Sequence, residues 1–224
     1  KSAVYWPVDQ DIGTFRKRIE SSDVDTPPGE EVSGYKTSDG KEFVVFFVPS
    51  VTRDEKAKEL TKYIQFLALL YIDACSYIDL EDPKWQLFMI FEKYRSKSGQ
   101  VKYAFAGFTS VHEFYGHPHK TRLRISQVLV LPPFQRQGHG GRLLSAIYAY
   151  ARKQMGENCL EVTVEDPSVE YQAVRDKIDY QDFSAFMERT KGNPPHWLRM
   201  GGIIPVWCDD FWRNVRDVLK LSRE

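Results

Sequence analysis

Net charge is the first thing missing from this chain. With 31 lysines and arginines against 31 aspartates and glutamates, the whole-molecule field favours neither nucleic acid nor an anionic membrane, and a charged partner has to be met by a local patch. Cysteine is scarce as well. Cys75, Cys159 and Cys208 lie far apart and in no C-x-x-C pair, which argues against a disulfide framework or a zinc site and points to a reducing, intracellular compartment. No apolar run reaches the roughly 18 residues of a membrane span, and no secretory pattern opens the chain. Repeats and low-complexity tracts are absent too. The chain starts at Lys1 without methionine, as a piece of a longer protein would. What is present is 224 residues with 42% hydrophobic content, enough for one sizeable domain or one domain with an appendage.

Residues 1–40 read as a turn-rich lead-in with little core of its own: a short helical candidate over 15–21, then TPPGEEVSG and KTSDG. A core domain is expected over 41–178 and a helical extension over 179–224. KEFVVFFV predicts a strand, and residues 54–78 predict a long helix with Thr52 or Asp54 as its cap. Strands are expected over 85–94, 101–115 and 122–131, turning at Ser98-Gly99 and Gly116-His117-Pro118, so an antiparallel meander is the economical arrangement. Leu160 to Val164 alternates as a strand should and ends at Asp166-Pro167. A helix to about Arg175 follows, then two more over 181–191 and 210–221.

The most informative stretch joins ISQVLVL to a Pro-Pro break, then FQRQGHGG, then the amphipathic RLLSAIYAYARKQ. It reads as strand, loop and helix. Unpartnered N–H groups at a helix start attract a diphosphate, and Gly138, Gly140 and Gly141 let phosphates approach the main chain. A dinucleotide fold would instead place G-x-G-x-x-G directly at the strand end, and here the third spaced glycine is missing. The spacing Gln135-x-x-Gly138-x-Gly140, in this context, resembles the acetyl-coenzyme A loop of the GNAT N-acetyltransferases. That resemblance implies an α/β acetyltransferase fold, with a mixed, mostly antiparallel sheet splayed at the cofactor cleft. It implies acetyl-CoA held by the main chain of Val128, Leu129 and Val130, one of whose N–H groups would stabilise the thioester oxyanion. The pyrophosphate would lie on Gln135, Arg136, Gln137, Gly138, His139, Gly140 and Gly141, with Ser168 nearby.

Three further segments carry a narrower likeness: YIDACSYIDLEDPKWQLFMIFEKY, HPHKTRLRISQVLVLPPFQRQGHG, and LEVTVEDPS followed by VRD. They resemble the catalytic subunit of type B histone acetyltransferases over about residues 41–175, and WRNVRDVLKL resembles that family's last helix more loosely. The resemblance implies acetylation of lysines in the histone H4 N-terminal tail, a WD-repeat histone chaperone as partner, and movement between cytoplasm and nucleus. No direct contact with nucleic acid or membrane is expected.

The chemistry asks for a base, because a lysine ammonium with a pKa of ~10.4 is not nucleophilic. Glu165, at the tip of the strand expected to flank the cleft, is the first choice. Asp166 adjoins it, although Asp-Pro before a helix also reads as an N-cap. Asp73 sits among apolar neighbours in FLALLYIDACSYI, where a buried charge is costly without a function or a partner; the matching family position is Glu. An extended cationic tail calls for carboxylates beside flat rings. Asp79, Glu81, Asp82 and Glu113 can supply charge, and by resemblance Trp85, His112, Glu113 and Phe114 touch the tail, with His112 replacing an aromatic. His112, His117 and His119 lie close in sequence but in a turn between strands, so they read as loop histidines and no metal is expected. Cys159 has no activating histidine nearby and reads as buried.

Overall fold

The computed structural model describes residues 26–190 and 209–222. The expected helix over 15–21 and Cys208 lie outside them. One six-stranded sheet runs in chain order through β1 (Glu30–Lys36), β2 (Glu42–Val48), β3 (Trp85–Arg95), β4 (Val101–Gly116), β5 (Lys120–Val130) and β6 (Cys159–Val164). The first five are antiparallel, and β5 and β6 are parallel. The meander is therefore present, extended by β1 out of the stretch read as lead-in.

Helices cover both faces, which is why β2 reads as an unbroken apolar run. Phe43, Val45 and Phe47 pack on the face that carries α2 (His139–Tyr150), against Leu143, Ile147 and Tyr148. Val44, Phe46 and Val48 pack on the other face against Ala57, Ile64 and Ala68 of α1 (Glu55–Tyr71). Asp54 rather than Thr52 caps α1, its Oδ1 accepting from the Ala57 N–H at 3.0 Å. Tyr63, Phe66 and Leu70 fill the outer side of that helix and stay exposed, so its near-continuous apolar sequence reflects one buried face and one outward face.

Two expected boundaries shift. Helix α1 stops at Tyr71, not near residue 78, because the following loop is pinned from outside: Gln65 Oε1 accepts from the Ile78 N–H at 2.6 Å, and Gln127 Nε2 donates to the Ser76 carbonyl at 2.7 Å. The two helices expected either side of residue 178 are one, α3 (Val169–Thr190). The extension α4 (Asp209–Leu219) packs Val215 and Leu219 on Phe186. Its tail then closes the outer edge of β6: the Val162 N–H donates to the Lys220 carbonyl at 2.9 Å, and Lys220 Nζ donates to the Cys159 carbonyl at 2.8 Å.

At the start of α2 the imidazole of His139 turns into the core between Phe43, Phe134 and Tyr35, its Nδ1 meeting the Tyr35 hydroxyl and its Nε2 buried without a partner among the described residues. Burial lowers its proton affinity below the usual histidine range, with Arg142 acting in the same direction. An unfolded histidine gains its proton near pH ~6.5, so below that value the unfolded chain binds a proton the native chain refuses, and stability falls as pH falls. In urea melts between about pH 7.5 and 5.5, wild type should lose more stability than His139→Phe; parallel losses would contradict this.

Candidate active site

The site begins with an irregularity in β5. Ser110 of β4 faces Gln127 and Val111 faces Ile125, so Ser126 is an extra, bulged residue. There the Gln127 N–H is taken by the Ser110 hydroxyl at 3.1 Å. A bulge bends its strand, and on the opposite edge β6 leaves β5 at the same place. Parallel pairing ends at Ile125 with Val164, closed by the Glu165 N–H donating to the Ile125 carbonyl at 2.8 Å. Beyond it the β5 edge is open.

Alternation decides which peptide groups line that opening. The N–H groups of Gln127 and Leu131 point to β4, so Leu129 between them does too, and Val128 and Val130 face the gap. Sequence reasoning assigned all three residues to the cofactor; the strand's period of two leaves Leu129 engaged with β4, its side chain buried. Gly107 makes this wall possible, since a Cβ there would lie 2.5 Å from the Leu129 carbonyl oxygen.

The gap is a cleft of about 510 Å³ between β5, the tip of β6, the start of α3 and the end of α1. Val128, Val130, Gln135 and Gly140 line one side and Asp166, Ser168 and Tyr171 the other. Gln135 Nε2 donates to the Val130 carbonyl at 2.9 Å, bracing the loop. Gly138 caps α2 in the left-handed region at φ 86° without a side-chain cap, leaving the first N–H groups of the helix for a ligand. A Cβ on Gly138 or Gly140 would meet only open space, whereas one on Gly141 would touch Ile178 of α3. Gly138 and Gly140 thus face a ligand's approach, and Gly141 serves helix packing. Arg136 and Gln137 lie on the far side of the loop, facing the β1–β2 turn. His139 can offer only its main chain.

Ser168, not Asp166, caps α3: its Oγ accepts from the Tyr171 N–H at 3.2 Å. Asp73 stands in the turn after α1, exposed at the cleft rather than buried on a helix. Glu165 is exposed at the tip of β6, and Ser126 Oγ donates to its Oε2 at 2.7 Å.

A second depression, about 370 Å³, adjoins the cleft. Trp85, His112 and Phe114 line it in sequence, Trp85 and His112 edge to face and His112 and Phe114 tilted, with ring centroids 4.6 and 4.4 Å apart. His112 Nε2 meets Asp82 Oδ2 at 2.8 Å, and this bond, helped by the Lys84 N–H, holds the Asp82 carboxyl below the usual range. Arg124 lies 4.6 Å over the Phe114 ring. Tyr77 and Asp79 complete the walls.

Glu113, expected beside the tail, does not line this groove. As the residue between His112 and Phe114 it points through the sheet to the opposite face, where Gln86 Nε2 donates to it and burial pushes its carboxyl up. Glu81 pairs with Lys58 of α1 instead of lining the groove. Cys159 is fully buried at the far end of β6, and burial raises its thiol to about 11, an unreactive state at neutral pH. Sequence reasoning missed Ser126, Arg124 and Tyr71. Ser126 is found only through the bulge, and a polar residue in an apolar strand was the one available signal.

Residues 64–174 match the Acetyltransferase (GNAT) family, and with its curled, splayed sheet and flanking helices the chain carries the GNAT acetyltransferase fold. Within that class it is similar to type B histone acetyltransferase catalytic subunits. It is 36% identical over 177 residues to one from Dictyostelium discoideum, covering 75% of this chain and 36% of that protein. To the Homo sapiens protein it is 40% identical over 121 residues, 54% of this chain and 28% of the relative. The chain thus spans about a third of the length of these curated relatives. Among solved structures, glucosamine-6-phosphate N-acetyltransferase from Arabidopsis thaliana aligns at a TM-score of 0.40 and 17% identity, over 61% of this chain and 89% of that one.

Proposed function

We propose that this chain is the catalytic core of a histone acetyltransferase that moves an acetyl group from acetyl-CoA to lysine amines of the histone H4 N-terminal tail. The observation that carries this reading is the meeting of two depressions at one carboxylate: Glu165 lines both the cleft beside β5 and the aromatic groove.

The residues present fit the cofactor. Val128 and the Val130 N–H offer a strand edge to a pantetheine amide, the Val130 carbonyl already accepting from Gln135, and the N-terminus of α2 beyond Gly138 offers N–H groups and positive potential to a pyrophosphate. Acetyl-CoA would supply the activated acetyl thioester. In the groove, Trp85 and Phe114 provide flat surfaces for lysine stems, while Asp79 and Asp82 favour a cationic chain. Glu165 takes one proton of the substrate ammonium, directly or through one water; the freed amine would then attack the acetyl carbon, the carbon–sulfur bond would break, and the nitrogen's surplus proton would pass to the departing coenzyme A thiolate. Asp166 and Asp73, both at the cleft, favour the approach of the ammonium. An N–H of the open β5 edge stabilises the developing oxyanion.

We further propose the H4 tail as substrate, a WD-repeat histone chaperone as partner, and residence in cytoplasm and nucleus; the likeness to type B catalytic subunits supports a histone as substrate and a companion subunit as partner. The test is steady-state acetyl transfer to an H4 tail peptide, the same peptide with its lysines replaced by Arg, and a small amine such as an aminoglycoside. Turnover should be confined to the lysine-bearing peptide. Faster turnover of the small amine would assign another substrate, and binding of the peptide without transfer would make this a histone-binding module.

A further inference from the structure

Ser126 is shared, with Glu165 alone, between the linings of the cofactor cleft and the aromatic groove. We infer that Ser126 is a positioning residue for the base: its hydroxyl fixes the Glu165 carboxylate at the point where cleft and groove meet. The inference rests on the reading of Glu165 as general base.

Three observations support it. The 2.7 Å bond from Ser126 Oγ engages Oε2 of Glu165, and a hydroxyl-to-carboxylate bond is of the stronger, charge-assisted kind. A glutamate at an exposed strand end otherwise turns freely about its side-chain torsions; with one oxygen held, the other is presented to a substrate amine. Ser126 also owes its place to the bulge, one residue beyond Ile125, the last β5 residue paired with β6. The feature that opens the cleft therefore delivers the hydroxyl that orients the base.

The charged groups around Glu165 make a neutral donor appropriate. Arg124 lines the groove and the adjoining pocket that holds Arg122, Glu161 and Asp166, while Asp73 stands at the cleft and Asp79 and Asp82 in the groove. A cationic donor at position 126 would hold the carboxylate yet repel the incoming ammonium and resist proton uptake. Serine orients without adding charge.

The experiment is steady-state kinetics on the chain with acetyl-CoA and an H4 tail peptide, for wild type, Ser126→Ala, Ser126→Thr, Glu165→Gln and the Ser126→Ala/Glu165→Gln pair. Ser126→Ala should lower kcat about ten-fold, the scale on which a misplaced catalytic group slows a reaction. Both KM values should stay within about two-fold, because uniform binding is untouched. Ser126→Thr should restore most of the rate, and Ser126→Ala should add nothing in the Glu165→Gln background. Wild-type kcat in Ser126→Ala, a loss confined to KM, failure of Thr to rescue, or a full additional loss in the double variant would each overturn the inference. If Glu165→Gln keeps wild-type kcat, the base assignment falls; if it collapses while Ser126→Ala does not change, only the role of Ser126 falls.

Discussion

Glu165→Gln is expected to lower kcat on histone peptide by about 10²- to 10⁴-fold, the range for losing a positioned general base, with acetyl-CoA binding unchanged. The substitution keeps the size of the side chain and its bond to Ser126, so it removes proton uptake and little else. Asp166→Asn and Asp73→Asn should cost less, because neither carboxylate lines the aromatic groove; both sit at the cleft. Rapid-quench or steady-state assays beside equilibrium binding of acetyl-CoA separate the two quantities. Equal rates in wild type and Glu165→Gln would remove Glu165 from the chemistry, and a rate loss that tracked a loss of cofactor affinity would make it a binding residue.

Gly107→Val is the second large effect, on structure first and activity through it. A Cβ at Gly107 would lie 2.5 Å from the Leu129 carbonyl oxygen and 2.9 Å from the Val130 Cα. These are backbone atoms that cannot swing away, so β4 and β5 must separate along the stretch whose far edge is the cleft wall. Overpacking of this kind costs about 1–3 kcal/mol. Urea unfolding should show that loss, and isothermal titration should show acetyl-CoA binding weakened at least about ten-fold, or about 1.4 kcal/mol. A variant as stable as wild type with unchanged affinity would mean that the spacing of these strands does not set the cleft.

Local chemistry was legible in the sequence where one short segment carries it. Strand β5, the Gly138 turn and α2 follow from apolar pattern and glycine placement alone, and β2 shows its two-sided burial in an unbroken apolar run. The places that differ depend on distant partners. Nothing in Ile72-Asp73-Ala74 breaks a helix; Gln65 and Gln127 hold the following loop in another shape, and so Asp73 becomes exposed. The Ser126 bulge exists only in the pairing with β4. Glu113 is a different case: period-two alternation already separates it from His112 and Phe114, and grouping the three as one contact surface overlooked it. The cap of α3 was not legible: Asp-Pro and Ser-Val are both plausible helix starts, and only the fold chooses Ser168.

In the mechanism proposed, acyl donor and lysine meet beside Glu165, at the place where β6 departs from β5. A crystal structure of the chain bound to a histone-tail peptide joined through its lysine nitrogen to coenzyme A tests it most directly. Pantetheine is expected along Val128 and Val130, pyrophosphate at the start of α2, and the conjugated nitrogen within about 3 Å of the Glu165 carboxylate or one water away. A conjugate seated elsewhere, or with its nitrogen turned from Glu165 toward another carboxylate, would contradict it.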